Sequence, residues 1–173
     1  MAASPLILTL KLDAPAFAVL DALRRAHFPA ERNFIPAHLT LFHALPGEHE
    51  PAIRRALQLA CAATPAPALR FERPVFLGRG VALLAESPEL AVLRDRLAAG
   101  WAPWLSAQDR QRFRPHVTIQ NKVAPEQARQ LHAALVAGWA ALPARGEGLL
   151  LWRYLGGPWE PVAEERFASA SQA

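Results

Sequence analysis

Pro36-Ala-His-Leu-Thr-Leu-Phe42 and Arg114-Pro-His-Val-Thr-Ile-Gln120 are two copies of one pattern, nearly half the chain apart. In a strand, side chains two positions apart point to the same face. His38, Thr40 and Phe42 therefore share one face of the first segment, and Leu39 and Leu41 take the other. Arg114, His116, Thr118 and Gln120 share a face of the second, opposite Val117 and Ile119. Each copy pairs an apolar face fit for a core with a face carrying an imidazole beside a hydroxyl. The flanks also repeat, with Phe34 and Pro36 before the first histidine and Phe113 and Pro115 before the second. Each copy is followed by a short turn and then a helical stretch. Two similar α/β halves follow from this echo.

Outward from the motifs, strands and helices intermix. Pro5 to Leu12 reads as a strand, and Asp13 with Pro15 opens a helix that Pro29 stops. The first motif strand runs from Ala37 to Ala44. Leu45-Pro46-Gly47 makes a turn, and a helix extends from Glu48 to Ala63, ended by Pro65 and Pro67. Leu69–Leu77 and Val81–Glu86 form a hairpin around Gly78-Arg79-Gly80. Ser87 caps a helix reaching about Ala99, with Pro88 and Glu89 in its first turn. The second motif strand spans Phe113 to Val123, and a helix from Pro125 reaches about Trp139. Gly148–Leu155 and Val162–Phe167 close the chain as a strand pair around Gly156-Gly157-Pro158, and Ser169 to Ala173 fray. Hairpins exclude a purely parallel sheet. No linker divides the halves, so residues 1–173 read as one domain with two lobes.

Composition sets the outer bounds. Of 173 residues, 52% are hydrophobic and 20% charged, too apolar and too weakly charged for a disordered chain. No apolar run reaches the roughly 18 residues of a membrane span, and Met1 to Leu12 lacks the pattern of a signal peptide. With Cys61 as the single cysteine, no internal disulfide can form. A cytoplasmic protein is expected, without membrane association and with a monomer favoured. The formal net charge of +4 comes almost wholly from arginine and suits a polyanion such as RNA. An Arg- and Ala-rich base composition would produce the same charge.

Two imidazoles and two hydroxyls suit in-line displacement at phosphorus. A neutral histidine takes a proton from the attacking water, and a protonated one gives a proton to the leaving oxygen. Threonine hydroxyls donate hydrogen bonds to the non-bridging oxygens, where charge must be stabilised. This chemistry requires neither metal nor cofactor when the leaving group is good or the phosphate ring is strained. His38, Thr40, His116 and Thr118 are the expected catalytic residues. A zinc site from His38, His43 and His49 would need all three to converge, and alternation puts His43 on the strand face opposite His38. Phe42 is a candidate for stacking on a base, although core packing is the commoner use of such a ring. Tyr154, beside Trp152 and Arg153, is a second candidate for contacting a nucleotide. Gly78-Arg79-Gly80 lacks the Lys-Ser/Thr of a phosphate loop.

On His38-Leu39-Thr40 and Phe113-Arg114-Pro115-His116-Val117-Thr118, the chain resembles the two-histidine (2H) phosphoesterases, specifically the bacterial 2′-5′ RNA ligase-like proteins. The resemblance implies an α+β fold of two pseudo-symmetric lobes. Each lobe would be a mostly antiparallel sheet with helices on its outer face, and the cleft between them would hold the four motif side chains. It also implies an RNA end or cyclic nucleotide as substrate, with opening of 2′,3′-cyclic phosphates as the leading activity. A 2′-5′ RNA ligase or 2′-5′ phosphodiesterase using the same site is one alternative, and a non-catalytic nucleotide- or RNA-binding module is another. Many such proteins carry an arginine shortly after the second motif. Here Asn121 and Lys122 stand there, so Lys122, or Arg114 on the motif face, is the expected cation.

Overall fold

The computed structural model describes residues 3–169. The terminal segment expected to fray lies, from residue 170 onward, outside the described residues. The elements run β1 (Leu6–Leu12), α1 (Ala14–His27), β2 (Leu39–Leu45), α2 (Glu50–Ala62), β3 (Ala68–Phe76), β4 (Val81–Glu86), α3 (Pro88–Gly100), β5 (His116–Gln120), α4 (Pro125–Gly138), β6 (Leu142–Tyr154) and β7 (Trp159–Arg166). Their order matches the sequence reading, and several boundaries differ. A short 3-10 turn over Gly47–His49 precedes α2, so the helix starts at Glu50. The second motif strand is shorter than expected, β6 begins earlier, at Leu142, and β7 begins at Trp159.

The caps show how local chemistry sets the ends. Ser87 accepts a hydrogen bond from Leu90 N–H at the start of α3, as its position suggests. Asp13 precedes α1 but leaves the helix uncapped, because its carboxylate instead accepts from Arg145 N–H on β6.

All pairings between these strands are antiparallel, and the strands connect in the order β1-β2-β5-β4-β3-β6-β7, with β1 also paired to β6. The long strand β6 explains this pattern. Its first residues, Leu142–Arg145, pair with β3, and the remainder lies between β1 and β7. Two four-strand runs thus share β6: β2-β1-β6-β7 carries the first motif, and β5-β4-β3-β6 carries the second. They meet again where β2 and β5 pair at Leu39 and Val117.

Leu39, Leu41, Val117 and Ile119 are all buried in one core cluster, as alternation within the motifs requires. Gly80, just after the β3–β4 turn, allows β4 to approach β5 closely. A Cβ there would lie 1.9 Å from the Gln120 carbonyl oxygen.

Two buried arginines tie the runs together. Arg24 on α1 donates through Nη1 to the Thr118 carbonyl of β5 at 2.7 Å. Arg94 on α3 donates through Nε to the Leu41 carbonyl of β2 at 3.3 Å. Each helix precedes one motif strand and holds the other, so the sequence echo extends to the buried polar contacts.

Candidate active site

Antiparallel pairing about Leu39 and Val117 sets His38 level with Thr118, and Thr40 level with His116. The four side chains line one cavity of about 170 Å³, together with Ile7, His43 and Trp159. Both motif imidazoles are fixed in the same way. His38 Nδ1 lies 2.9 Å from the Pro36 carbonyl oxygen, and His116 Nδ1 lies 2.8 Å from the Arg114 carbonyl oxygen. A carbonyl only accepts, so each Nδ1 carries the proton, and each Nε2 is free of this contact. A proline precedes each histidine, Pro36 by two positions and Pro115 by one, and Arg114, standing directly before Pro115, is thereby directed to extended backbone.

The two imidazoles differ in surroundings. His116 is exposed, whereas His38 is half-buried with Trp159 edge-on to it at 4.8 Å between ring centroids. Burial pulls the His38 imidazole down to about 4, reinforced by the nearby Arg24, His116 and His43 and opposed by the hydrogen bond to Pro36. His38 is therefore neutral near pH 7.

His43 enters the cavity against expectation. The cause is a bulge: Thr9 pairs with Thr40 while Leu8 pairs with Phe42, so β2 carries an extra residue at Leu41. Alternation reverses there. Phe42 turns inward, and His43 turns toward His38 and Thr40. Phe42 is 0% exposed, packed edge-on to Trp101 at 5.2 Å and beneath the Arg94 guanidinium at 4.2 Å. A ring with no accessible face cannot stack on a base, so Phe42 is core and not a substrate contact.

The turn after α3 holds His43. Asp109 is 1% exposed, and Asp109 Oδ1 lies 3.0 Å from His43 Nδ1. Its carboxylate also accepts from the His43 and Ala44 amides and from the Ser106 hydroxyl. Burial pushes this carboxyl up, but the hydrogen bonds from the His43 ring and the two amides outweigh burial and hold it below the usual carboxylate range.

The remaining expected contacts lie elsewhere. Arg114, Lys122 and Tyr154 are exposed and do not line the cavity. Lys122 stands in the left-handed region at φ 61°, its amide donating to Asn121 Oδ1. Arg153 bridges Glu50 and Glu160. His49 stacks on Trp104 at 4.1 Å, and among the described residues no group of three or more His, Cys, Asp or Glu is placed to hold a metal ion. Cys61 is buried, and burial raises its thiol to about 12, unsuited to a nucleophile.

A second, mostly apolar groove of about 450 Å³ adjoins the cavity and shares His38 and Trp159 with it. Phe17, Phe34 and Trp152 also line it. Phe34 is 68% exposed, although large apolar side chains usually find cover. Sequence reasoning named His43 only for a metal site and passed over Asp109 and Trp159.

A family model described as the 2′-5′ RNA ligase superfamily matches residues 12–158. The chain belongs to the 2′-5′ RNA ligase superfamily. Solved structures repeat the superfamily fold. TT0787 of Thermus thermophilus is 18% identical over 94% of this chain and 97% of its own, with a TM-score of 0.67. LigT of E. coli in its apo form is 16% identical over 97% and 99%, with a TM-score of 0.65. The same LigT complexed with phosphate is 18% identical over 97% and 99%, with a TM-score of 0.60. No curated protein matches this superfamily member in sequence. Among the described residues, no helix is long and apolar enough to cross a membrane.

Proposed function

We propose that this chain is a metal-independent phosphodiesterase that opens 2′,3′-cyclic phosphates on RNA ends or small nucleotides, working as one bilobal domain in the cytoplasm. The observation that carries the reading is the shared locking of both motif histidines. Each Nδ1–H is spent on a backbone carbonyl two residues earlier, and both rings line one small cavity with two threonines.

His38, kept neutral by burial, is the base. Its Nε2 takes a proton from water as the water oxygen attacks phosphorus. His116, open to solvent, is the acid. Its Nε2–H gives a proton to the departing ribose oxygen as the P–O bond breaks. Thr40 and Thr118 donate hydrogen bonds to the non-bridging oxygens. The product is a phosphomonoester with a free neighbouring hydroxyl. Solvent exchange then removes the proton from His38 and returns one to His116.

LigT complexes with phosphate, 3′-AMP, NADP+ and ATP support a nucleotide-type ligand for this fold. The superfamily's name supports a second reading at the same site: 2′-5′ ligation, in which a 5′-hydroxyl attacks the cyclic phosphate in place of water, or 2′-5′ cleavage, in which those two proton transfers run in reverse.

The test is a panel of 2′,3′-cyclic nucleotides, RNAs ending in cyclic phosphate and 2′-5′-linked dinucleotides, assayed in EDTA with 2′- and 3′-phosphate products resolved. Turnover of a cyclic phosphate in chelator is the expected result. Activity lost to chelation and restored by a divalent cation would replace the mechanism with metal-assisted hydrolysis. Binding without turnover of any substrate would leave a binding module.

A further inference from the structure

A phosphodiester carries one negative charge, and charge accumulates on its non-bridging oxygens during displacement. Among the described residues, no Lys or Arg lines the cavity to meet it. His38 must be neutral to act as base, and His116 gives its proton away. The threonines offer only neutral hydrogen bonds. One titratable group in the cavity has no task in that chemistry, and it is His43.

Resting on the phosphodiester reading above, we propose that His43, held by the buried carboxylate of Asp109, is the anion-binding residue of this site, donating an Nε2–H hydrogen bond to a non-bridging phosphate oxygen. The argument is geometric. An ionised carboxylate only accepts, so His43 Nδ1, 3.0 Å from Asp109 Oδ1, carries a proton. That leaves Nε2 as the ring's polar atom for the cavity, which the side chain lines at 40% exposure. The rotamer is over-determined, because the His43 amide also donates to Asp109. Asp109 is fixed in turn from three more sides: the Ala44 amide, the Ser106 hydroxyl and Arg94, which donates to the Asp109 carbonyl oxygen at 2.6 Å.

The charges facing His43 define its behaviour. They are the Asp109 carboxylate against Nδ1, Arg94 behind Asp109, and His38 and His116 across the cavity. A phosphate anion places a second negative charge on the open side of the ring, so the imidazolium lies between two anions. Anion binding is thus coupled to protonation of His43. A charge-assisted hydrogen bond of this kind carries on the order of 10–100-fold in affinity.

The experiment uses the full chain and inorganic phosphate as probe, with calorimetric Kd measured from pH 5.5 to 8.5 alongside kcat and KM on a cyclic nucleotide. His43→Gln keeps a polar side chain at an exposed position, so the fold is retained. It is expected to weaken phosphate about 10–100-fold at the acid end, flatten the pH dependence of Kd, and raise KM more than it lowers kcat. His43→Arg, always charged, is expected to recover part of the affinity without the pH dependence. Asp109→Asn should reproduce the flattening with His43 present. A His43→Gln protein that binds phosphate within twofold of wild type, or that loses kcat with Kd unchanged, overturns the proposal. The two failures are separable. Wild-type turnover with an indifferent His43→Gln sinks this inference alone. Phosphate binding through His43 without turnover of any phosphodiester sinks the enzyme reading alone.

Discussion

Leu39 on β2 is paired with Val117 on β5, and that pair joins the two motif strands at the floor of the cavity. Both residues are 0% exposed. Each precedes its motif threonine and follows its motif histidine, so one buried apolar pair sets the spacing of four polar side chains on the opposite face. The geometry of the cavity is fixed from beneath, by the core.

The two histidines should act as a unit. His38→Ala and His116→Ala are each expected to cost several orders of magnitude in kcat on a 2′,3′-cyclic nucleotide, and the double variant little more. Thr40→Ala and Thr118→Ala should cost about 10–10³, each removing one hydrogen bond to a charged oxygen. Folded histidine variants with near-wild-type turnover would make the motifs structural.

The pH profile of kcat/KM should extend unusually far toward acid. His38 titrates at about 4, so the base remains neutral well below the ordinary 6.5. The acid limb is expected near pH 4, and a limb at 6–7 would assign the base elsewhere. Stability should show the same asymmetry. The folded value lies below the unfolded one, so the unfolded chain binds the extra proton between these values, and stability falls as pH drops from about 6.5 to 4. The loss attributable to His38 is at most about 3 kcal/mol. His38→Gln should flatten this segment in urea titrations at stepped pH.

The groove beside the cavity should hold the part of the substrate attached to the phosphate. Phe34→Ala is expected to raise KM for a cyclic nucleotide by about 5–50-fold with kcat nearly unchanged, since base stacking on an aromatic ring is worth about 1–3 kcal/mol. Equal KM values for cyclic nucleotides on both proteins would show that the groove takes no base.

Arg94 should matter for stability out of proportion to its distance from the chemistry. It donates to the Leu41 and Asp109 carbonyls and covers the Phe42 ring. Arg94→Ala leaves both acceptors unmet and uncovers the ring, at a cost of about 2–4 kcal/mol in urea unfolding. Loss of the turn carrying Asp109 should also weaken phosphate binding. A variant within 0.5 kcal/mol of wild type, a margin of about the size of ordinary surface changes, would show that these contacts add little.

Local pattern determined a great deal. Alternation within His38–Thr40 and His116–Thr118 settled which residues face the core, because a strand's two faces are fixed by its period of two. Proline and glycine placed the turns, and the Ser87 cap placed a helix. What the sequence could not carry was whatever depended on an inserted residue or a partner distant along the chain. The bulge at Leu41 lies in the pairing of β2 with β1, two residues beyond the point where β2 meets β5 at Leu39. One extra residue reversed the parity beyond it, burying Phe42 and exposing His43. Asp109 and Trp159 arrive from a turn and a strand far away in the chain, and no periodicity within their own segments points to the cavity. The paired histidines were legible because their signal is local; tertiary structure decided their neighbours, because those neighbours meet only when separate strands and turns are packed together.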